Sequence, residues 1–576
     1  MTHPKSIAFL AFLAIAALHY CSLPKTIWEY DECLFALGVE NYQPLLHQPP
    51  PPGYPLFMAA AKIIALFTGG DAFRALVILS VITLAAGLAT WYFAFREITG
   101  DARVALIGSA LFFLSPALLM IGVLPQSDSG AIALFGLAAY ACAKRDPLFA
   151  ALACSACVGW RQQFAIAVVP MFLVSLLLMS DWRARARAVA TFAAACVLWL
   201  IPMMNATGGP LELLQWLGGQ AAYYASHDSD LSRGGYSTSL IALRFAAHPW
   251  GPKWLSLPLL LLSAAGAAMV LARKNRLALP LATGCAIYLA FAMATMDPAD
   301  AVRYAIPALP AIALFAAIPL AKFLAIGVVI AIAYCAGALN YTWPVLRARA
   351  TSEAPPVKAA KWIRAHVPRN AIVLYDLPLR PHAEYLLREW KSMRIDAGLL
   401  KFGGDPNVPM ILYADGEAGR SRGVTYTWPD TDPYRKLTRQ HYGAVSAIEL
   451  PPAERYKAIE GISQPERSRD GASWRWVGRH GVIELPDLGA SRVRLTFHAP
   501  DDYPLGENRI HVRISGREVA ATVKPNSVAQ LELAIPRGAV RIEIAPEKSF
   551  VPANVRTLNR DTRTLSVMLM RVEQLP

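Results

Sequence analysis

Long apolar runs recur through the first three-fifths of the chain, from Ser6 to about Tyr341. Each approaches the roughly 20 residues that an α-helix needs to cross a bilayer core. The pattern predicts about eleven transmembrane helices, near 6–23, 73–95, 104–123, 129–143, 148–159, 163–180, 188–205, 254–272, 277–295, 303–320 and 323–341. Run 148–159 is too short to cross alone, which indicates a broken helix.

The connections between these runs alternate in charge. Basic residues occupy every second connection: Lys5, Arg96, Arg103, Lys144, Arg145, Arg183, Arg185, Arg187, Arg273, Lys274, Arg276 and Lys322. Basic loops stay in the cytoplasm, so the N-terminus is predicted to be cytoplasmic. Segments 24–72 and 206–252, and the chain after Tyr341, are then predicted to face outward, as expected for a multi-pass protein of a bacterial inner membrane.

The chain after Pro355 is polar and predicts two further domains beyond a membrane domain at 1–345. An amphipathic helix at 356–366 and a buried strand at 371–376 indicate an α/β domain over 355–470. From Trp474 onward polar and apolar residues alternate, which predicts a β-sandwich over 471–576.

Composition supports a membrane protein over a nucleic-acid-binding one. The 576 residues are 55% hydrophobic and only 17% charged, with a mean hydropathy of +0.36. The net charge of +14 comes largely from basic topology loops. No basic stripe interleaved with aromatic residues is present, so nucleic acid is not expected as a partner.

The first outward segment carries the most suggestive side chains. Asp31 and Glu32 are adjacent just after the first apolar run, and His47 precedes a proline run, Pro49 to Pro52, that must be rigid and extended. A carboxylate can act as a base while neighbouring cations stabilise a phosphate. The alternative is that Asp31 and Glu32 are solvated acidic residues at the membrane surface with no function.

An Asp-Glu pair followed by a basic residue and prolines resembles the GT-C superfamily of membrane glycosyltransferases, which use polyprenyl-phosphate sugars. This superfamily includes protein O-mannosyltransferases and lipid A aminoarabinose transferases. Three further short motifs match in chain order: Pro125-Gln126-Ser127-Asp128, Gly159-Trp160-Arg161-Gln162-Gln163 and Val302-Arg303-Tyr304. The resemblance implies a GT-C-like α-helical membrane domain followed by extracytoplasmic domains.

The resemblance implies that Asp31 is the base and that Glu32 orients it, although a helix-start acid explains Glu32 equally well. The resemblance also implies that Arg303, Tyr304, Arg161 and His47 contact the donor phosphate. The alternative for Arg303 is that its long side chain only extends from the membrane to the interface. Asp128 would bind acceptor or metal, or simply form a turn. No cofactor is required, and a divalent metal is possible. His227, Asp228 and Asp230 lie in one outward loop and could bind a metal or the acceptor.

These observations predict an inverting glycosyltransferase that moves a sugar from a polyprenyl-phosphate donor to a lipid, glycan or protein acceptor of the cell envelope. A transporter or flippase of lipid-linked sugars would also explain many spans, but it predicts inverted repeats and midplane charges. A membrane-anchored binding protein would need far fewer spans.

Overall fold

The computed structural model describes residues 4–228, 237–403, 405–416, 423–438, 444–463, 466–467, 473–555 and 561–576. The chain divides into two compact units. The first contains Met1–Glu353 and Pro429–Gln440, and the second contains Ala354–Trp428 and His441–Pro576.

The first unit is helical. Its α-helices are Pro4–Cys21, Tyr30–Glu40, Pro55–Phe67, Ala72–Thr99, Ala102–Phe113, Pro116–Ile121, Asp128–Lys144, Pro147–Trp160, Ala165–Leu177, Trp182–Thr207, Pro210–Tyr223, Thr238–Ala242, Lys253–Ala272, Leu279–Thr295, Ala301–Ala305, Leu309–Lys322, Leu324–Thr351 and Asp432–Leu437.

Six helical segments in the described part of the chain are long and apolar enough to cross a membrane: Ala72–Thr99, Trp182–Thr207, Lys253–Ala272, Arg276–Thr295, Pro298–Lys322 and Ala325–His366. The first unit therefore has the helices expected of a multi-pass membrane protein, as predicted. The count of eleven spans stays a prediction, because several of the apolar runs form helices of only 10–17 residues.

The boundaries of these helices follow from local chemistry. Asp71, Asp101 and Asp146 each precede a helix, and each side chain accepts a hydrogen bond from a backbone N–H of the first turn. Such caps satisfy donors that have no partner within the helix. Gly100 and Gly208 adopt the left-handed backbone, with φ of 71° and 100°, directly after two long helices. Glycine enters this conformation without steric cost, so it ends a helix cleanly.

Two interruptions of the helical pattern carry arginines. Run 148–159 forms the helix Pro147–Trp160, which has 14 residues, and Arg161 follows it in an extended backbone conformation. A short 3₁₀ turn, Gln162–Phe164, then leads into the next helix. Arg303 lies in the five-residue helix Ala301–Ala305, which a 3₁₀ turn separates from the longer helix Leu309–Lys322.

The second unit contains two sheets. Its strands are β1 Ile372–Tyr375, β2 Lys391–Arg394, β3 Met410–Asp415, β4 Gly423–Thr427, β5 Ala444–Glu449, β6 Lys457–Ile462, β7 Glu466–Arg467, β8 Ser473–Leu485, β9 Arg492–Ala499, β10 Asn508–Ile514, β11 Arg517–Val523, β12 Ser527–Ala534, β13 Val540–Pro546 and β14 Met568–Leu575. Its α-helices are Pro355–His366, Arg380–Leu386, Ile395–Phe402 and Pro552–Val555.

The first sheet has the order β2-β1-β3-β5-β4. Strand β1 is parallel to β2 and β3, whereas β5 is antiparallel to β3 and β4. Strand β1 is buried at every position, as expected for a strand covered on both faces. The helix Ile395–Phe402 contributes Ile395 and Leu399 to the apolar core on one face of the sheet.

The remaining strands form one hydrogen-bonded path, β11-β10-β13-β8-β14-β9-β12, with β6 and β7 also paired to β8. Buried and exposed positions alternate along β9, β10 and β13, and every strand from β8 to β14 contributes apolar side chains to a shared core. A β-rich C-terminal region is confirmed. Its description as a sandwich stays a prediction, because β8 pairs with both β13 and β14 and so joins all strands into one sheet.

Candidate active site

The adjacent carboxylates at the start of the helix Tyr30–Glu40 point to different surroundings. Successive residues of an α-helix are rotated by about 100° around its axis, so neighbouring side chains leave on different faces. The Asp31 side chain is 27% exposed and contacts Arg303. Glu32 is completely buried, and its Oε2 accepts a hydrogen bond from the Trp28 backbone N–H at 2.7 Å. The pair predicted from the sequence therefore contains two carboxylates with different exposure and different partners.

Asp31 belongs to a network of four charged side chains. Its Oδ2 lies 2.6 Å from Nη1 of Arg303. The same guanidinium reaches Asp128, whose Oδ2 lies 3.2 Å from Nη2 of Arg303. That Oδ2 also lies 3.1 Å from Nη1 of Arg161. The ion pairs join segments far apart in sequence, and their two positive and two negative charges sum to zero.

Exposure differs along this network. The side chains of Asp128 and Arg161 are 2% and 4% exposed, whereas Arg303 and Asp31 are 22% and 27% exposed. Charges removed from water need close partners, and the shared Asp128 oxygen supplies them. Asp128 and Arg161 form the buried inner part of the site, and Arg303 and Asp31 form its accessible edge. A ligand would meet that edge first.

Local structure fixes the buried pair. Asp128 is the first residue of the helix Asp128–Lys144, where the helix dipole favours a negative charge. Arg161 donates a second hydrogen bond from Nη1 to Oγ of Ser127 at 2.8 Å, and its Nη2 lies 3.4 Å from Oε1 of Gln163. The Trp160 indole N–H donates to the Ser127 carbonyl at 3.0 Å. The segments Pro125-Gln126-Ser127-Asp128 and Gly159-Trp160-Arg161-Gln162-Gln163 are therefore hydrogen-bonded to each other.

The proline segment packs against the helix that carries Asp31. A Cβ on Gly38 would lie 2.7 Å from the nitrogen of Pro49, so only glycine allows this approach. His47 is half-buried and adopts the left-handed backbone with φ 61°, while its N–H donates to the Pro44 carbonyl. The prediction of an extended backbone is therefore wrong at His47, because the 3₁₀ turn Pro44–Leu46 ends there in this left-handed conformation. Contact of its side chain with phosphate stays a prediction.

Tyr54 is a site residue that the motifs did not single out. It is buried, and the guanidinium carbon of Arg161 lies 5.9 Å from the centre of its ring. Burial raises the pKa of the Tyr54 hydroxyl, and the positive charges of Arg161 and Arg303 oppose that rise. The only sequence signal was its place at the end of the proline segment. Tyr304, which the motifs did include, is half-buried beside Arg303.

A second charged cluster lies at the start of the same helix, and no sequence motif indicated it. Glu29, the residue before the helix Tyr30–Glu40, accepts a hydrogen bond from Nη2 of Arg349 at 2.8 Å. Burial and the charge of Glu29 raise the pKa of Glu32 to about 8, whereas Arg349 opposes the rise. The raised pKa favours the protonated form of Glu32 at neutral pH.

No group of three or more His, Cys, Asp or Glu side chains is placed to hold a metal ion in the part of the chain that the structure describes. The side chains of His227 and Asp228, and all of Asp230, lie outside that part. The expectation that no cofactor is required stays a prediction.

Comparisons with known proteins bear on the helical membrane unit. Residues 48–203 match the family of DolP-mannose mannosyltransferases. The matched segment includes Asp128 and Arg161 and ends before Arg303. No curated protein sequence matches the chain.

Solved structures share the fold at low sequence identity. ArnT from Cupriavidus metallidurans in the apo state superposes with a TM-score of 0.51 at 12% identity, covering 77% of this chain and 98% of that one. ArnT bound to undecaprenyl phosphate gives 0.50 at 12% identity, covering 76% and 97%. The oligosaccharyltransferase of Archaeoglobus fulgidus gives 0.50 at 11% identity, covering 95% and 96%.

The family match and the shared fold agree with each other. Both agree with the resemblance to GT-C enzymes, and the family match supports a glycosyltransferase as the class of activity.

Proposed function

We propose that this protein is an inverting glycosyltransferase that moves a sugar from a polyprenyl-phosphate donor to an acceptor of the cell envelope. The observation that carries the proposal is the accessible Asp31–Arg303 pair, which places a base and a cation 2.6 Å apart above a buried pair of charges. The family match to mannosyltransferases and the ArnT-like fold support the donor class.

Asp31 acts as the base in this proposal. An acceptor hydroxyl attacks the anomeric carbon while Asp31 takes its proton, and the bond from that carbon to the phosphate oxygen breaks on the opposite side of the sugar. A single displacement inverts the configuration and needs no covalent intermediate. Glu32 cannot share this task equally, since it is fully buried and bonded to the backbone. Its role is to orient Asp31.

Arg303 receives the donor phosphate, because it is the more exposed of the two guanidinium groups. Positive charge placed at a leaving phosphate stabilises the charge that develops there. Tyr304 and His47 contribute further contacts, and Arg161 holds Asp128 in place and adds positive charge behind Arg303. A phosphate that binds Arg303 competes with Asp31, so donor binding releases the carboxylate that the reaction needs.

The reaction takes place on the outer face of a bacterial inner membrane in this proposal. The alternating loop charges support a cytoplasmic N-terminus and an outward segment 24–72, which includes Asp31. A membrane domain at 1–345, a periplasmic α/β domain at 355–470 and a β-sandwich at 471–576 complete the arrangement. The acceptor is a lipid, glycan or protein on that side of the membrane.

A reconstituted assay tests the activity itself. Purified protein in liposomes is given radiolabelled polyprenyl-phosphate mannose and a cell-envelope extract as acceptor. Transfer of label to the acceptor with inverted anomeric configuration is expected. Movement of the labelled donor across the bilayer without transfer would support the flippase alternative, and binding without either process would contradict both.

A further inference from the structure

Arg349 connects the helix Leu324–Thr351 to the segment that precedes Asp31. It lies near the end of the helix Leu324–Thr351 and is 2% exposed. Its Nη2 donates to Oε1 of Glu29 at 2.8 Å, and its Nη1 donates to the Met120 carbonyl at 2.8 Å. One buried guanidinium therefore joins three segments that are distant in sequence.

The same arginine holds the backbone before the helix. The Arg349 carbonyl accepts a hydrogen bond from the Lys25 N–H at 2.8 Å, and its guanidinium lies 6.0 Å from the centre of the Trp28 ring. Trp28 in turn donates its N–H to Glu32. The path from Lys25 to Glu32 is thus held at several successive points, and Asp31 lies within the turn that these contacts fix.

We infer that Arg349 is a positioning residue that sets the orientation of Asp31 toward Arg303. The inference rests on the proposed function, in which Asp31 is the base. Glu29 immediately precedes the helix and Asp31 is its second residue, so a shift of Glu29 moves the Asp31 carboxylate directly. A displacement of about 1 Å at a reacting group can lower a rate about 100-fold.

The contacts also separate this role from donor binding. Arg349 bonds to Glu29, Met120 and Lys25, whereas Arg303 bonds to Asp31 and Asp128. Removal of Arg349 therefore leaves the phosphate-binding guanidinium with its buried partner. The turnover number per amount of folded protein should fall while the KM for the donor changes little. A loss of folded protein also lowers the apparent turnover number at an unchanged KM, so kcat is calculated for the monodisperse fraction only.

Arg349→Met and Glu29→Gln test the inference in the full-length protein with polyprenyl-phosphate mannose as donor. Each variant is expected to lower kcat about 10- to 100-fold, per amount of monodisperse protein, with the donor KM within about twofold. The double variant should lose no more than the worse single one, because both changes remove the ion pair between Arg349 and Glu29. The kcat of Arg349→Lys should lie closer to wild type than to Arg349→Met when the three values are compared as logarithms.

Arg347→Met is the matched control, because Arg347 is exposed on the same helix two residues earlier, and it should retain full activity. If Arg349→Met fails to fold, Glu29→Gln carries the test, since it keeps the shape of the side chain. Wild-type kcat in both single variants, together with an inactive Asp31→Asn, would overturn the positioning role alone. A wild-type protein that transfers no sugar would instead overturn the proposed function and, with it, this inference.

Discussion

Asp128 has the largest predicted effect on stability, because one of its oxygens serves two arginines. Oδ2 lies 3.1 Å from Arg161 and 3.2 Å from Arg303, and the side chain is 2% exposed. Asp128→Asn removes the charge and keeps the shape. Arg161, which is 4% exposed, then loses its only described carboxylate partner. Removal of one partner from a buried ion pair costs about 3–5 kcal/mol.

We expect the lower end of this range, about 3 kcal/mol, for two reasons. The asparagine carbonyl still accepts a hydrogen bond, and Arg303 keeps its contact with Asp31. About 1.4 kcal/mol corresponds to a tenfold change in an equilibrium constant, so the folded-to-unfolded ratio should fall more than about 100-fold.

Denaturant titration in detergent micelles measures this difference by intrinsic tryptophan fluorescence. Asp101→Asn is the control, because Asp101 pairs with Arg103 at 3.0 Å while the two side chains are 32% and 58% exposed, and asparagine also caps helices. The control should match wild type. An Asp128→Asn midpoint indistinguishable from that of Asp101→Asn would refute the idea that a buried charge network supports the site.

Two further predictions concern the helix that carries Asp31. Burial raises the pKa of Glu32 from an ordinary value of 4.5 to about 8, so its stability contribution is complete below about pH 4.5 and is lost as the pH rises through 8. Glu32→Gln cannot ionise, and its melting temperature relative to wild type should therefore rise between pH 6 and 9; a constant difference would contradict the burial argument. Gly38→Ala places a Cβ 2.7 Å from the Pro49 nitrogen and should lower transfer activity about tenfold or more, whereas Gly218→Ala, which meets nothing within 4 Å, should be silent. Equal activities of the two alanine variants would show that close packing of the proline segment is not needed.

Much of the architecture was predictable because it depends on local patterns. Apolar runs predicted helices near their observed places, and alternation predicted the C-terminal strands, since both patterns reflect which face of an element is buried. Motif resemblance identified Asp31, Asp128, Arg161 and Arg303 as candidate site residues, but it did not predict that they form one network. Its contacts join residues up to 272 positions apart, and no local pattern encodes such a distance.

Other parts of the site could not be predicted for the same reason. Glu29 and Arg349 are 320 residues apart, and neither belongs to a recognisable motif. The motif presents Asp31 and Glu32 as a pair, whereas in the structure Asp31 is partly exposed and Glu32 is fully buried. Which face of a helix is buried depends on tertiary contacts, and no local pattern encodes those contacts.

The central claim is that Asp31 is the base, and transfer by Asp31→Asn tests it most directly. Asparagine preserves the shape and can still accept a hydrogen bond from Arg303, but it cannot take a proton from the acceptor. We predict correctly folded protein that binds polyprenyl phosphate and transfers mannose at least about 100-fold more slowly than wild type. Asp31→Asn protein that folds, binds the lipid and transfers sugar at the wild-type rate would contradict the account.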